Sequence, residues 1–262
     1  MGKTSKYVSK LPDKTGFINY TPEENSIWAE LYSRQEKILP NLACKEYVDS
    51  LEKMHMSEDK IPQLPNITKT LQESTGWGVE GVPALIAPQE FFKLLANRKF
   101  PAATFIRDRE EFDYLQEPDV FHEIFGHCPL LTNQTYADFM QKYGEIASGL
   151  DDKFRWYLLR LYWFTVEFGL IQESDKAKIY GAGIVSSHGE SPYSVKSATP
   201  ERRPFDLVQV LRTPYRIDIF QTVYYVIESF EQLYELVSKD LVSAVKEAEK
   251  LGLLEPTFPP KE

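Results

Sequence analysis

Two histidines that stand five residues apart between two prolines limit most strongly what this chain can fold into. His122 and His127 enclose the segment HEIFGH, with Pro118 before it and Pro129 after it. Proline suits the first turn of a helix but not its interior, so the prolines predict a helix that starts at Pro118 and ends before Pro129. At about 100° per residue, a regular helix turns the second imidazole about 140° away from the first. If the two rings meet, the backbone must bend, and because Gly126 precedes it and Pro129 follows it, His127 is where we expect the helix to unwind.

The spacing of the two histidines leaves three interpretations open. In the HExxH motif of zinc proteases the histidines are four residues apart on one helical face, and the glutamate between them acts as a base. Glu123 occupies that position here, but the second histidine comes one residue later. Alternatively, the helix ends at His127 and both rings bind a metal. The third interpretation is two histidines on different faces of a helix that holds no metal.

Glu167 is the candidate for a third ligand. It is the one carboxylate in the apolar segment LYWFTVEFGL, residues 161–170. An ionised carboxylate in apolar surroundings is costly unless it is paired or bound to a metal. Two imidazoles and one carboxylate on one side of a metal leave coordination positions open, an arrangement that suits Fe(II) and oxygen chemistry. The three residues therefore predict a mononuclear iron site.

The rest of the chain predicts a mainly α-helical fold with minor β structure. The chain has 262 residues, of which 42% are hydrophobic, close to the upper size for one core. Residues 1–20 are polar and predict a loose N-terminal arm, and residues 21–262 predict one domain. Thr21 and Glu24 form the pattern of a capping box, which predicts a helix that ends at about Leu39.

Composition excludes several classes of protein. The net charge is −9 and the lysines and arginines are scattered, which argues against nucleic acid as a partner. Cys44 and Cys128 are the two cysteines, so we expect no disulfide framework and a reducing compartment. The N-terminus lacks the apolar segment of a signal peptide, and the most apolar stretch, residues 156–171, is too short and too charged to span a membrane. We expect a cytoplasmic monomer or small homo-oligomer.

Three segments together carry a resemblance to a known family. PDVFHEIFGHCPLL, YWFTVEFGL and YGAGIVSSHGE are similar, in the same order and at similar spacing, to the catalytic domain of the pterin-dependent aromatic amino acid hydroxylases. The likeness covers about residues 20–235, and it is greatest to the short, single-domain members that hydroxylate phenylalanine. It implies a catalytic domain of the aromatic amino acid hydroxylase type without a separate regulatory domain.

The resemblance implies a role for each matching residue. The iron ligands would be His122, His127 and Glu167. The pterin would be bound by Leu85, Ile86, Phe91, Glu123 and Tyr162. The amino-acid substrate would be bound by Arg107, Pro118, Asp119, Trp163, Gly183 and Ser186. Within the last set, Arg107 would bind the substrate carboxylate, Asp119 would hold that arginine, and Ser186 would be a second polar anchor. Leu115 and Pro88 depart from the hydroxyl residues that longer members tend to have.

The reaction implied by the resemblance is hydroxylation of L-phenylalanine to L-tyrosine with O2 and a tetrahydropterin at a non-haem Fe(II) centre. Trp163 favours phenylalanine or tyrosine over tryptophan as substrate, and Ile217 stands where tyrosine hydroxylases carry an acidic residue. Both positions favour phenylalanine. The alternatives are a tyrosine or tryptophan hydroxylase of the same family, a zinc hydrolase with Glu123 as base, and a metal-stabilised binding module for aromatic amino acids.

Overall fold

Short helices carry most of the regular structure in the computed structural model, which describes residues 6–83, 86–239 and 241–260. The α-helices are α1 (Pro22–Glu36), α2 (Leu39–Leu42), α3 (Lys45–Lys53), α4 (Leu64–Thr75), α5 (Pro88–Ala96), α6 (Gln134–Ser148), α7 (Asp152–Tyr162), α8 (Ala182–Val185), α9 (Glu190–Lys196), α10 (Leu207–Arg212), α11 (Phe230–Ser238) and α12 (Leu241–Leu251). Two segments are π-helical, π1 (Phe121–His127) and π2 (Trp163–Glu167), and Pro129–Thr132 forms a 3-10 turn.

The β structure is limited to two small sheets. The strands are β1 (Gly78–Val82), β2 (Lys99–Ala103), β3 (Leu170–Glu173), β4 (Lys176–Ile179), β5 (Glu201–Pro204) and β6 (Val223–Ile227). β1 and β2 pair in parallel, with α5 between them in the chain. The second sheet has the order β4-β3-β6-β5, in which β3 and β4 are antiparallel and the other neighbours are parallel. The prediction of a mainly α-helical fold with minor β structure is confirmed.

The first helix shows why the local sequence signals succeed at one end and fail at the other. The Thr21 hydroxyl accepts a hydrogen bond from the N–H of Glu24, and the Glu24 carboxylate accepts one from the N–H of Thr21, so the capping box is confirmed. The helix ends at Glu36, however, and Pro40 lies in the first turn of α2. Proline is compatible with a first turn, so Pro40 begins a new helix there instead of stopping the old one.

One continuous cluster of buried apolar side chains extends from Ile18 to Ala248. Residues 6–20 contain no helix or strand, yet they pack on the segment that follows β2: Thr104 donates to the Lys10 carbonyl at 2.8 Å, and the ring of Tyr7 stacks on Phe105 at 4.6 Å. Within the described residues, no helix combines the length and the apolar character needed to cross a membrane.

Candidate metal centre and adjoining cavity

The segment HEIFGH lies in π1, whose hydrogen bonds join residues five apart. This pattern widens the helix, so residues separated by five positions return to the same side. The Nε2 atoms of His122 and His127 therefore lie 3.0 Å apart, with the two rings nearly perpendicular. The helix does end at His127, where unwinding is expected, but the two rings meet because the backbone is widened over the whole of π1.

Gly126 has a different function in the structure. A β-carbon at this position would lie 2.9 Å from the carbonyl oxygen of Ala182 and 3.2 Å from its β-carbon. Those distances are shorter than ordinary contacts, so any side chain would push α8 away from π1. Gly126 permits the close approach of these two helices.

Glu167 also comes from a π-helix. In π2 the N–H of Phe168 donates to the Trp163 carbonyl five residues earlier, at 2.8 Å. The Glu167 carboxylate reaches both histidines, with Oε1 3.2 Å from Nε2 of His127 and Oε2 3.5 Å from Nε2 of His122. Burial alone would raise the pKa of Glu167, but the two imidazoles outweigh burial and lower it. The carboxylate is therefore held in its charged form.

The spacing of these atoms fits a single metal ion. Two donors at right angles, each about 2.1 Å from an ion, lie about 3.0 Å apart, and the three groups are separated by 3.0, 3.2 and 3.5 Å. Burial lowers the pKa of His122 to about 4, so its imidazole is neutral, as a ligand must be. The donor set of two imidazoles and one carboxylate is the type that Fe(II) sites use.

Ser186 fixes which nitrogen of His122 faces the metal position. The Ser186 hydroxyl donates to the Ala182 carbonyl at 2.7 Å, so its oxygen accepts from Nδ1 of His122 at 3.0 Å. The proton on Nδ1 leaves the Nε2 lone pair free to bind a metal. This places Ser186 as a support for His122. Binding a substrate carboxylate, the role that the resemblance implies for Ser186, would require its hydroxyl to rotate away from Ala182.

Glu123 is a second carboxylate near the two histidines. One of its oxygens and one nitrogen from each ring all lie within 4.8 Å of one another. Glu167 is the better candidate ligand, because its two oxygens lie 3.2 and 3.5 Å from the imidazole Nε2 atoms and its pKa is lowered. Burial, and then the charge of Glu167, raise the pKa of Glu123 well above its usual value. Glu123 is therefore not the carboxylate that carries the charge of this site.

Arg107 and Asp119 form a buried two-point ion pair. Nε and Nη2 of Arg107 donate to the two Asp119 oxygens at 2.8 and 3.0 Å, and the Arg107 main-chain N–H adds a third bond at 3.0 Å. Burial raises the pKa of Asp119, but the Arg107 guanidinium more than offsets burial and the pKa is lowered. Asp119 also accepts from the main-chain N–H of His122 at 3.1 Å, which connects the arginine to the first ligand.

A cavity of about 290 Å³ opens beside the three candidate ligands. Among the residues that line it are His122, Glu167, Arg107, Pro118, Trp163, Gly183 and Ser186. The structure thus brings together the substrate-binding residues that the sequence predicted, except Asp119, which lies behind Arg107. The sequence interpretation missed Tyr114, Glu190 and Gln221, which also line the cavity. Of these three, only Glu190 could have been found from the sequence, because it is the last residue of the motif YGAGIVSSHGE.

The described members of the predicted pterin-binding set are not among the residues that line this cavity. The ring of Phe91, on α5, contacts the edge of Tyr162 at 5.3 Å, and Tyr162 lies 6.3 Å from the His127 ring. Glu123 is buried in π1, and Ile86 is half-buried just before α5. Leu85 lies outside the described residues. Phe91 and Tyr162 thus form a row of aromatic rings that reaches His127.

Comparisons with known proteins identify the family of this chain. A family model described as biopterin-dependent aromatic amino acid hydroxylase matches residues 3–248. The phenylalanine-4-hydroxylase of Vibrio cholerae is 52% identical over 258 residues, which cover 98% of this chain and 89% of that protein. The apo structure of the cold-active phenylalanine hydroxylase from Colwellia psychrerythraea has a TM-score of 0.94 at 50% identity, covering 97% of this chain and 98% of that one.

A second solved structure carries a metal. Phenylalanine hydroxylase from Chromobacterium violaceum, with bound oxidized Fe(III), has a TM-score of 0.89 at 42% identity and covers 94% of this chain and 89% of that one. The resemblance carried by the three motifs is confirmed, and this chain belongs to the biopterin-dependent aromatic amino acid hydroxylases.

Proposed function

We propose that this protein is a phenylalanine 4-monooxygenase that converts L-phenylalanine to L-tyrosine with O2 and a tetrahydropterin at one non-haem Fe(II). His122, His127 and Glu167 are its iron ligands. The observation that carries the proposal is the convergence of these three groups, 3.0–3.5 Å apart, at the edge of a cavity that also presents Arg107. The names of the similar bacterial proteins support phenylalanine as the substrate.

Arg107 orients the substrate by its carboxylate. Arginine has five N–H groups, and three of them are used within the protein, two by Asp119 and one by the Phe112 carbonyl. The two N–H groups that remain lie one on each terminal nitrogen. This arrangement binds a carboxylate at two points. Asp119 keeps the guanidinium in this orientation.

The aromatic ring of the substrate lies between Arg107 and the iron ligands, where Pro118, Trp163 and Gly183 line the cavity. Iron and the tetrahydropterin, when bound, together supply the electrons that activate O2. The residues of the cavity hold the ring next to the metal position and exclude water from it. By the family resemblance, Phe91 would stack on the pterin, and Leu85, Ile86, Glu123 and Tyr162 would complete its site.

Selection of phenylalanine rests on two side chains that line the cavity, Trp163 and Ile217. The Ile217 side chain offers no polar partner to a phenol hydroxyl, so tyrosine would gain no hydrogen bond from it. The Ile217 carbonyl accepts a hydrogen bond from the hydroxyl of Tyr114, which holds the loop that carries Ile217 at the cavity.

Two broader features belong to the same proposal. Residues 21–262 form one catalytic domain, supported by the single continuous core that extends from Ile18 to Ala248. The protein acts in the cytoplasm as a monomer or small homo-oligomer. Cys44 and Cys128 are both buried and unpaired, which fits a reducing compartment.

The test is a product assay with defined cofactors. Protein purified without chelators is loaded with Fe(II) and incubated with tetrahydropterin, O2 and each of the three aromatic amino acids, and the products are identified by mass spectrometry. We expect L-tyrosine from L-phenylalanine, and no product when pterin or iron is omitted. Purified protein that holds zinc and consumes no oxygen would support the hydrolase with Glu123 as base. Binding of phenylalanine without any product would support the binding module.

A further inference from the structure

A chain of hydrogen bonds runs from Trp163 at the cavity to the strand β6. Nε1 of Trp163 donates to Oε1 of Gln221 at 3.0 Å. The main-chain N–H of Gln221 donates to Oε1 of Glu190 at 2.9 Å, and the same oxygen accepts from the hydroxyl of Tyr224 at 2.6 Å. No role in the proposed reaction accounts for Gln221 or Glu190, although both line the cavity.

The orientation of the Gln221 side chain is fixed by its own donors. Its Nε2 donates to the carbonyls of Arg216 and Ile219, at 2.8 and 3.2 Å. With both amide hydrogens committed, the amide oxygen must face Trp163. The residue is buried, so these bonds do not compete with bulk water.

Glu190 holds the main chain at Gln221 and the hydroxyl of Tyr224 through its two hydrogen bonds. It is buried at the first turn of α9, and Tyr224, one of its two donors, is fully buried in β6. Burial raises the pKa of Glu190 to about 7. A buried carboxyl group is costly unless it is hydrogen-bonded, and Oε1 of Glu190 accepts two hydrogen bonds, from the main-chain N–H of Gln221 and the hydroxyl of Tyr224.

Packing alone does not prevent the indole of Trp163 from sliding parallel to the plane of its ring. Tyr215 stacks on Trp163 at 4.4 Å with an interplanar angle of 17°, and Phe168 leans on the indole at 4.5 Å. Stacked rings tolerate sliding parallel to their planes, because offset arrangements have similar energies. A hydrogen bond at the edge of the ring is directional and opposes that sliding.

We propose that Gln221, held in place by Glu190, is a positioning residue that fixes the indole of Trp163 and so determines which aromatic side chain the cavity accepts. This inference rests on the proposed hydroxylation of an aromatic amino acid. Without the bond to Gln221, the indole slides within its stack and the cavity no longer has one shape. Phenylalanine then binds less tightly, and the larger ring of tryptophan is excluded less effectively.

The decisive variant is Gln221→Leu, which keeps the size of the side chain and removes its hydrogen bonds. A hydrogen bond of this kind contributes a factor of about two to ten. We therefore expect KM for phenylalanine to rise by about two- to tenfold, with a smaller change in kcat. The ratio of kcat/KM for phenylalanine to that for tryptophan should fall by a similar factor. Iron content and KM for the tetrahydropterin should stay as in the parent.

Three further variants separate positioning from a general loss of structure. Glu190→Gln retains an oxygen that accepts the same two bonds and should behave as the parent, whereas Glu190→Ala should reproduce the effect of Gln221→Leu. Gln232→Leu is the matched control, since Gln232 lies on α11 and is not among the residues that line the cavity. If Glu190→Ala does not fold, the comparison of Gln221→Leu with Gln232→Leu tests the positioning role of Gln221.

The rise in melting temperature that L-phenylalanine and L-tryptophan each produce in iron-loaded protein gives a readout independent of turnover. We expect the difference between the two ligands to shrink in Gln221→Leu. The inference is overturned if that variant is folded and active and keeps the parent's preference among the amino acids. A parent enzyme that hydroxylates none of the three would instead refute the proposed function, which is a separate outcome.

Discussion

Replacing Arg107 by lysine separates the charge of the arginine from its two-point geometry. The Arg107 side chain is 8% exposed and that of Asp119 is 0% exposed. Removing the cation would leave a buried carboxylate without a partner, a change that destabilises proteins by about 3–5 kcal/mol. Lysine keeps a positive charge beside Asp119, so we expect Arg107→Lys to remain folded. The loss should then be confined to ligand binding.

The expected magnitude follows from the donors of Arg107. Two N–H groups remain for the substrate once Asp119 and the Phe112 carbonyl are satisfied. A lysine ammonium has one nitrogen, which cannot contact Asp119 and a substrate carboxylate with the same geometry. Loss of a charge-assisted, two-point contact costs about 1.5–3 kcal/mol, or about tenfold to a hundredfold in affinity. Affinity for the tetrahydropterin should change little.

Calorimetric titration of iron-loaded protein measures this loss directly. L-Phenylalanine should bind the Arg107→Lys variant about tenfold to a hundredfold less tightly than the parent, whereas phenethylamine, which lacks the carboxylate, should bind both equally. Arg98→Lys is the matched control, because Arg98 pairs with Asp138 at 2.8 Å and is absent from the cavity lining. Equal affinity of parent and variant for phenylalanine, or an equal loss with phenethylamine, would refute the role of Arg107.

Three further predictions test the metal ligands, the preference among aromatic amino acids and the raised pKa of Glu190. Replacing His122, His127 or Glu167 by alanine should abolish hydroxylation and sharply lower the iron content, and a fully active Glu167→Ala variant would contradict the ligand assignment. Trp163→Phe should improve turnover of tryptophan relative to phenylalanine in a competition assay, and an unchanged ratio would count against Trp163 as the selective residue. Because the pKa of Glu190 is raised to about 7 from an ordinary 4.5, the folded state binds its proton more tightly, and stability should decline as pH rises from about 5 to about 8. In urea unfolding measured across this pH range, Glu190→Gln should lose the part of the decline in stability that Glu190 causes. If the stability of the variant declines as steeply as that of the parent, Glu190 is not the cause.

The sequence predicted the chemistry of the site better than its local structure. The donor types were readable because a carboxylate in an apolar helix and two close histidines are both unusual. The five-residue spacing showed that a regular helix could not bring the histidines together, but it did not reveal a π-helix. Whether a turn widens depends on the partner that packs against it, here α8, which lies more than fifty residues further along the chain.

The supports of the site were harder to predict than its principal residues. Gln221 is 58 residues from Trp163 in sequence, and neither residue carries a local signal that they meet. The resemblance matched Ser186 to a substrate anchor, whereas the structure bonds its hydroxyl to Nδ1 of His122. Such contacts are set by tertiary packing, so no local pattern of residue types encodes them.

The short helix α8 explains why the three motifs of the chain occur together. It packs against both π1 and π2, the segments that end at His127 and Glu167. Gly126 allows α8 to approach π1, and Gly181 allows the chain to approach π2, since a β-carbon on Gly181 would lie 2.4 Å from the Glu167 carbonyl oxygen. Ser186, directly after α8, then sets the tautomer of His122 through its hydroxyl. The third motif thus acts on the metal site without supplying a ligand: it holds two widened helices at the separation that brings three donor groups to within 3.5 Å of one another.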